Sequence, residues 1–268
     1  MCNDSSVPKM MQGRYGLAEE YARFWSPVIK PMGLRLLETL PLGSARRVVD
    51  IGCGTGNLIS EIVASAPNAR YLGLDRAGRM LEVAAKSCVP LVHADGCRLP
   101  LRNSSFDLAV MAFVVFKLPS PLEGLIEAKR VLRPGGTLGV TVWNGDSHVL
   151  PGDEIWVEAL ADIPADPDES SRLEDLNEIE KLRALLESAG FTGIDIQSEA
   201  FERTWTPESI FALKSGLSHH VRLVQLPFDE RERRLAEVRA RLSEMEPSSF
   251  IWRPSILFAM SRNGPPDD

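Results

Sequence analysis

The most informative segment is Val48-Val49-Asp50-Ile51-Gly52-Cys53-Gly54-Thr55-Gly56-Asn57, which places three glycines between a predicted strand, Arg46–Ile51, and a predicted helix, Leu58–Ala64. Glycine permits a tight turn and lets a ligand approach the backbone more closely than any Cβ would allow. The third glycine comes one place earlier than in the dinucleotide-binding pattern, and Asn57 stands where that pattern has Gly or Ala. This departure disfavours a nicotinamide cofactor.

Strand and helix patterns alternate after this glycine loop. We predict strands over Ala69–Leu74, Val89–His93, Phe106–Phe113 and Thr137–Trp143, and helices over Gly78–Lys86 and Leu122–Leu132. Such alternation indicates parallel strands joined by right-handed helical crossovers. The sequence therefore predicts an α/β fold with a doubly wound, Rossmann-like sheet.

The flanking segments carry weaker patterns. Apolar residues from Leu17 to Leu40 recur at helical intervals and are interrupted by Pro27 and Pro31, which predicts two helices. Residues 144–176 are rich in Asp and Pro and indicate an insertion over one edge of the sheet. Beyond them we expect a helix over 179–186, a strand over Phe191–Thr204, helices over Ile210–Leu217 and Asp229–Met245, and a last strand over Phe250–Met260.

Composition limits the class of protein. The apolar fraction of 44% and the charged fraction of 25% are typical of a globular chain. With 30 Lys and Arg against 37 Asp and Glu, the net charge of −7 disfavours nucleic acid and anionic membrane surfaces as partners. The longest apolar runs, Val110–Phe116 and Leu138–Val142, are too short to cross a bilayer, and the first residues lack a signal-type apolar stretch. We therefore expect a cytoplasmic protein.

The cysteines give no sign of a metal site. Cys2, Cys53, Cys88 and Cys97 show neither a CxxC spacing nor a histidine at metal-ligand spacing. We expect them to be reduced and structural, and we predict no metal.

Three acidic residues lie at the ends of consecutive predicted strands. A carboxylate at Asp50, beside the glycine loop, would repel a pyrophosphate but suits a ligand that carries an ammonium and a sulfonium. Asp75, about 20 residues past the loop, is placed to accept hydrogen bonds from both ribose hydroxyls. Asp95 is placed to accept one from an adenine amino group. The structural alternatives are capping of backbone amides by Asp50, a helix N-cap at Asp75 and a turn at Asp95.

The motif VVDIGCGTG, the acid in GLD, the ADG turn and the stretch 106–143 together resemble the successive motifs of class I S-adenosylmethionine (SAM) methyltransferases, most closely the ubiquinone/menaquinone-biosynthesis type. The resemblance covers residues 46–143 and, more loosely, 177–204. It implies a seven-stranded sheet with an antiparallel last strand, SAM as the cofactor and S-adenosylhomocysteine as its product. With Asp50 added from its charge, the implied cofactor residues are Asp50, Gly52, Gly54, Gly56, Asp75, Arg76, Asp95, Gly96 and Met111. Many relatives carry a histidine pair after the fourth strand, where this chain has Phe116-Lys117.

On this interpretation the whole chain, 1–268, is one methyltransferase domain. Its expected parts are an N-terminal helical lid over 1–42, a SAM-binding core over 43–145, a cap insertion over 146–176, and the C-terminal half of the core over 177–268 with a helical insertion at 205–248.

The leading functional hypothesis is methyl transfer by SN2 displacement to a small, largely apolar or aromatic molecule of a biosynthetic or secondary-metabolite kind. Positioning would account for most of the catalysis. The alternative is a SAM-fold protein that binds the cofactor without methylating, as a binding partner or as a catalyst of another rearrangement. A nicotinamide-dependent oxidoreductase is the least favoured hypothesis.

The acceptor side is less defined. If the acceptor must lose a proton, His148 is the first candidate base and His219 and His220 are alternates, because an imidazole titrates near neutral pH. A solvated loop role for His148 and helix capping for the other two are the structural alternatives. The N-terminal aromatic residues Tyr15, Tyr21 and Trp25 suit either a lid or ordinary packing. The residues expected to form the acceptor pocket are Trp143, Ile155, Trp156, Phe211 and Leu217. The expected partner is a small-molecule acceptor, and no oligomeric state is predicted.

Overall fold

The computed structural model of the protein describes residues 17–164 and 175–264. Nine strands lie in these ranges. They are β1 Arg47–Ile51, β2 Arg70–Asp75, β3 Leu91–His93, β4 Phe106–Ala112, β5 Leu132–Trp143, β6 Thr192–Ala200, β7 Arg203–Thr204, β8 Ile251–Trp252 and β9 Ser255–Arg262.

The α-helices of the same ranges are α1 Ala18–Glu20, α2 Ser26–Thr39, α3 Ile59–Ser65, α4 Gly78–Ala84, α5 Pro121–Val131, α6 Asp153–Ala159, α7 Ile179–Ser188, α8 Pro207–Leu213, α9 His220–Leu223 and α10 Phe228–Glu244. Two π-helical stretches continue α1 and α8, at Tyr21–Trp25 and Lys214–Ser218. Short 3₁₀ turns occur at Leu42–Ser44, Ala85–Ser87, Val115–Lys117 and Pro247–Phe250.

Seven strands form the main sheet, in the order β3-β2-β1-β4-β5-β9-β6. Strands β1 to β5 are parallel, and β9 is inserted antiparallel between β5 and β6. This confirms the prediction of a doubly wound, seven-stranded sheet whose last strand is antiparallel. Strands β7 and β8 form a separate two-stranded sheet.

The central strands are covered on both faces. Leu108, Ala109, Val110 and Met111 of β4 are all at most 1% exposed. Since successive side chains of a strand point to opposite faces, this uninterrupted burial requires packing on each side of the sheet. The carboxyl ends of the strands are therefore the accessible edge at which a ligand can bind.

The N-terminal segment differs from its prediction. The chain is helical without a break from Ala18 through the π-helical stretch to Thr39, whereas the sequence predicted two helices separated at the prolines. Pro27 lies in the first turn of α2, where a missing N–H is tolerated, and Pro31 is accommodated inside the helix. The buried face of α2, with Met32 and Leu36, outweighs the break that Pro31 favours.

The two C-terminal strand predictions were each too long. The predicted strand Phe191–Thr204 is divided into β6 and β7, and the predicted strand Phe250–Met260 is divided into β8 and β9. Pro254, which lies between β8 and β9, has no N–H for the ladder, although its carbonyl accepts a hydrogen bond from the N–H of Phe201 at 2.8 Å. The chain turns at this point and the small sheet separates from the main one.

The segments on either side of α7 pack together. At the start of α6 the Lys214 ammonium is paired with Asp153, and Lys214 is only 7% exposed. Beyond the end of α6, Arg222 donates to the carbonyl of Leu160, and Arg234 donates to that of Ala159 at 2.9 Å. Helix α6 is thus held at both ends by cationic side chains of the region 205–248. In the described part of the chain, no helix combines the length and the apolar character that a membrane span requires.

Candidate functional site

A cleft opens at the carboxyl ends of β1 and β4, beneath the N-terminal helical segment. The space within it, including the part open to solvent, is about 440 Å³. Three parts of the chain form it: the glycine loop, the end of β4 and the N-terminal helices. The lining residues are Tyr21, Ile29, Gly33, Asp50, Gly52, Cys53, Gly54, Thr55, Asn57, Leu58, Ala112 and Phe113.

The glycine loop leaves β1 in a conformation that favours glycine. Gly52, Gly54 and Gly56 have φ values of +78°, +55° and +82°. A Cβ on Gly52 would lie 2.2 Å from Cγ2 of Val114, so that position is closed by packing. A Cβ on Gly54 would meet nothing within 4 Å, and Gly54 lines the cleft. The backbone of Gly54 is therefore open to close approach by a ligand.

Asp75, at the end of β2, holds the glycine loop through a hydrogen bond to its backbone. Its Oδ2 accepts a hydrogen bond from the Gly54 N–H at 2.8 Å, and its Oδ1 accepts one from the Ala77 N–H at 2.8 Å. Burial raises the pKa of Asp75, while these two N–H groups and the nearby Arg76 oppose the rise. Each carboxylate oxygen keeps a further acceptor position, so the structural role and the predicted ribose role are compatible.

Asp50, on β1, is almost fully enclosed. It is 3% exposed, and the hydroxyl of Tyr71 donates to its Oδ2 at 3.0 Å. Burial raises the pKa of Asp50 to about 7, the hydrogen bond from Tyr71 lowers it, and the charge of Asp75 raises it. A cationic group in the cleft would stabilise the carboxylate form of Asp50.

The remaining predicted residues near Asp75 occupy different environments. Arg76 is half-buried, and its buried Nη1 has no hydrogen-bonding partner among the described residues. Asp95 is exposed beyond β3, and its Oδ1 accepts from the Cys97 N–H at 2.9 Å, as the turn alternative predicts. Gly96 is buried, and a Cβ there would lie 2.9 Å from Cδ2 of Leu118, which gives this glycine a packing role.

The structure places Met111 differently from the prediction. Its side chain is fully buried in the hydrophobic core, and the cleft is lined instead by the next two residues, Ala112 and Phe113. Phe113 has φ +56°, which is unfavourable for a residue with a Cβ, and its N–H donates to the carbonyl and the hydroxyl of Thr141. Phe113 was not predicted as a site residue, although its position at the end of a buried strand was an available signal.

The N-terminal segment covers the cleft, as a lid would. Tyr21 and Ile29 line it. The Ser26 and Thr55 hydroxyl oxygens are 3.0 Å apart, and the Asn57 side-chain amide donates to the Ser26 carbonyl at 2.9 Å. The helical segment is thus fastened to the glycine loop. Tyr15, the third aromatic residue predicted for a lid, lies outside the described residues.

Aromatic rings extend from one wall of the cleft. The Phe113 ring is 4.8 Å from that of Trp143, which lies 6.1 Å from Trp25 and 5.9 Å from Trp252 between ring centroids. Trp205 lies 6.3 Å from Trp252. Trp143 was predicted for the acceptor pocket together with Ile155, Trp156, Phe211 and Leu217. All five residues are buried, and none of them lines the cleft that the described residues form, although Trp143 adjoins it through its ring contact with Phe113.

The candidate bases lie outside the cleft as the described residues define it. His148 is half-buried in the turn after β5, and its buried Nδ1 has no hydrogen-bonding partner among the described residues. His219 stacks on Trp156 with ring centroids 5.1 Å apart, and His220 begins α9. A base role for His148 therefore stays a prediction.

Residues 49–140 match a family model described as a methyltransferase domain, a range that runs from the glycine loop to β5. The chain is 36% identical over 104 residues to demethylmenaquinone methyltransferase of Chlamydia pneumoniae. The matched region covers 37% of this chain and 45% of that protein. The chain spans about half the length of the curated relatives it matches.

Solved structures share the fold over nearly the whole chain. A SAM-dependent methyltransferase from Thermotoga maritima matches with a TM-score of 0.58 at 19% identity, covering 93% of this chain and 97% of that one. A phosphoethanolamine N-methyltransferase from Haemonchus contortus, solved with S-adenosylhomocysteine, matches with a TM-score of 0.57 at 16% identity, covering 96% of this chain and 59% of that one. At these identities the likeness concerns the fold.

Proposed function

We propose that this chain, which belongs to the class I SAM-dependent methyltransferases, transfers the methyl group of SAM to a small, largely apolar or aromatic molecule. The family that the sequence motifs implied is confirmed by the methyltransferase domain at residues 49–140. The cofactor residues, the acceptor class and the transfer itself are the proposal.

One observation carries the proposal. Asp50 lines a cleft whose floor is the open backbone of Gly54, while Asp75 holds that same backbone from the neighbouring strand. A buried carboxylate beside a glycine loop suits a cationic ligand, and an acid at the end of β2 suits ribose hydroxyls. Asp50 and Asp75 thus offer the two separate recognition groups that suit a nucleoside carrying a cationic amino-acid arm.

The side chains of this protein would bind and orient the cofactor. Asp50 would face the ammonium of the cofactor, Asp75 its ribose, and Asp95 with Arg76 its adenine. When bound, SAM supplies a methyl group already activated on sulfur. The fastened N-terminal segment, with Tyr21 and Ile29, would exclude water, and alignment of the acceptor would provide most of the rate.

The acceptor class is proposed from the rings beside the cleft. Phe113 and Trp143 form an apolar aromatic wall at the end of β4 and β5, continued by Trp25 and Trp252. Such a wall favours a flat, apolar acceptor, and the net charge of −7 disfavours a polyanion. His148 would assist only if the acceptor loses a proton during transfer.

The test is a matched pair of variants. Asp75 and Asp107 each accept hydrogen bonds from two backbone N–H groups, but Asp107 is near the start of β4, at the opposite edge of the sheet. Calorimetry should show Asp75→Asn weakening SAM binding by about 1.5–3 kcal/mol, whereas Asp107→Asn leaves it unchanged. Equal SAM affinities for Asp75→Asn and the wild type would refute the assignment.

The second candidate is a protein that binds SAM without methylating, and one observation favours it. No histidine is present among the described residues that line the cleft. Release of S-adenosylhomocysteine, measured with a panel of phenols, quinols and amines, distinguishes the two functions. Tight SAM binding with no such release across the panel would favour the second candidate.

A further inference from the structure

A small group of side chains lies buried beneath the glycine loop. Asp50 on β1 is paired in register with Gly73 on β2, and Tyr71 lies two residues before Gly73. The Tyr71 side chain, 7% exposed, runs along the sheet toward Asp50. A Cβ on residue 73 would lie 3.0 Å from both the Tyr71 hydroxyl oxygen and the Cys53 sulfur, so the hydroxyl has its place because residue 73 is glycine.

We propose that Tyr71 is a positioning residue that holds Asp50 in its ionised, cleft-facing form, so that its hydroxyl sets the pH range over which the cationic cofactor binds. This inference rests on the proposed function. Tyr71 does not line the cleft and would act through Asp50.

The geometry restricts what else can stabilise the Asp50 carboxylate. Within residues 17–164 and 175–264, Tyr71 is its one hydrogen-bond donor. The other titratable groups that face it are Asp75 and Cys53, and Tyr21 is the remaining titratable residue that lines the cleft. The neighbouring cleft residues from α2 and from the end of β4 carry no charge; they are Ile29, Gly33, Ala112 and Phe113, which directly follows β4.

The hydroxyl of Tyr71 acts as a fixed donor. Burial raises the pKa of both Tyr71 and Cys53, so both remain protonated around neutral pH. A donor that keeps its proton around neutral pH favours the charged form of Asp50 and opposes the burial that raises the pKa of that carboxyl to about 7. Replacement of Tyr71 by Phe keeps the packing and removes this donor.

The expected effect is a displaced pH profile. If only the ionised form of Asp50 binds the cofactor, the apparent dissociation constant scales inversely with the ionised fraction. Raising the midpoint by about one pH unit lowers that fraction roughly fivefold at pH 7. Calorimetry with SAM between pH 5.5 and 7.5 should show that the wild-type affinity falls as the pH falls. In Tyr71→Phe the same decrease in affinity should begin at a higher pH.

A double-mutant cycle separates this role from a loss of packing. In an Asp50→Asn background, in which residue 50 cannot ionise, Tyr71→Phe should leave both SAM affinity and its flat pH profile unchanged. An equal loss of affinity from Tyr71→Phe in both backgrounds would overturn the proposal.

A measurement without cofactor separates the inference from the proposed function. Carbon-13 NMR titration of the aspartate carboxyls, with Asp50 assigned from the Asp50→Asn variant, should show a higher midpoint in Tyr71→Phe than in the wild type. Identical midpoints would overturn the role of Tyr71 even if SAM binds. Failure of the wild type to bind SAM would instead overturn the proposed function, together with the cofactor part of this inference.

Discussion

Gly54→Ala should separate the stability of the glycine loop from its ability to hold a ligand. Gly54 has φ +55° and open space where a Cβ would stand, at the lining of the cleft. Gly135 offers a matched control, because it has φ +77° and no atom lies within 4 Å of a Cβ built on it. It lies near the start of β5, at the edge of the sheet opposite the cleft.

The two substitutions should cost similar stability. An L-residue in the left-handed region costs roughly 1–2 kcal/mol, and neither new methyl group meets a neighbour. For a chain of this size that corresponds to a decrease of about 2–8 °C in melting temperature. In the cleft, however, the Gly54→Ala methyl group would occupy the space that close approach of a ligand requires. We expect SAM affinity to fall at least about tenfold, which is ~1.4 kcal/mol, in Gly54→Ala alone.

Differential scanning fluorimetry and calorimetry with SAM provide the two measurements. Similar melting temperatures with a selective loss of binding in Gly54→Ala would support a backbone that contacts the cofactor. If Gly54→Ala bound SAM as tightly as Gly135→Ala, the cofactor would not approach Gly54 and the proposed placement would be wrong.

Three further predictions concern stability, motion and catalysis. Asp50→Asn should raise the free energy of unfolding at pH 8 by at most ~4 kcal/mol. In the wild type, Asp50 binds a proton between about pH 4 and pH 7 in the folded state but not in the unfolded state. The folded wild type therefore loses stability as the pH rises through that range, and an Asn at position 50 avoids the loss. A wild type more stable than Asp50→Asn at pH 8 in thermal unfolding would contradict this. Amide exchange around Tyr21–Trp25 should slow when SAM binds, since this segment covers the cleft, and equal exchange with and without SAM would exclude ordering by the cofactor. His148→Ala should reduce turnover about 10²–10⁴-fold with SAM affinity preserved if His148 is the base, and a loss below about threefold would exclude that role.

The sheet and the position of its ligand-binding edge could be predicted from the amino-acid sequence alone. The alternation of short apolar runs with amphipathic segments is local information, and it predicted the parallel strands. The antiparallel last strand was implied by the family resemblance of the motifs. The positions of Asp50 and Asp75 could also be predicted, because the end of a parallel strand is at the ligand-binding edge whatever the packing around it. The glycine positions also carry their conformational requirement in the residue type.

The contacts between side chains of different strands and helices depend on the tertiary structure and could not be predicted from the sequence. Met111 and Phe113 are both apolar and two residues apart, but Met111 belongs to β4 and is buried in the core, whereas Phe113 follows the end of β4 with φ +56° and lines the cleft. The pairing of Tyr71 with Asp50 joins residues 21 positions apart through strand register and the space left by Gly73. The burial of α2 against the sheet kept the helix intact through Pro31, which local propensity had predicted as a break. These outcomes depend on packing energies summed over distant residues, and no local pattern contains them.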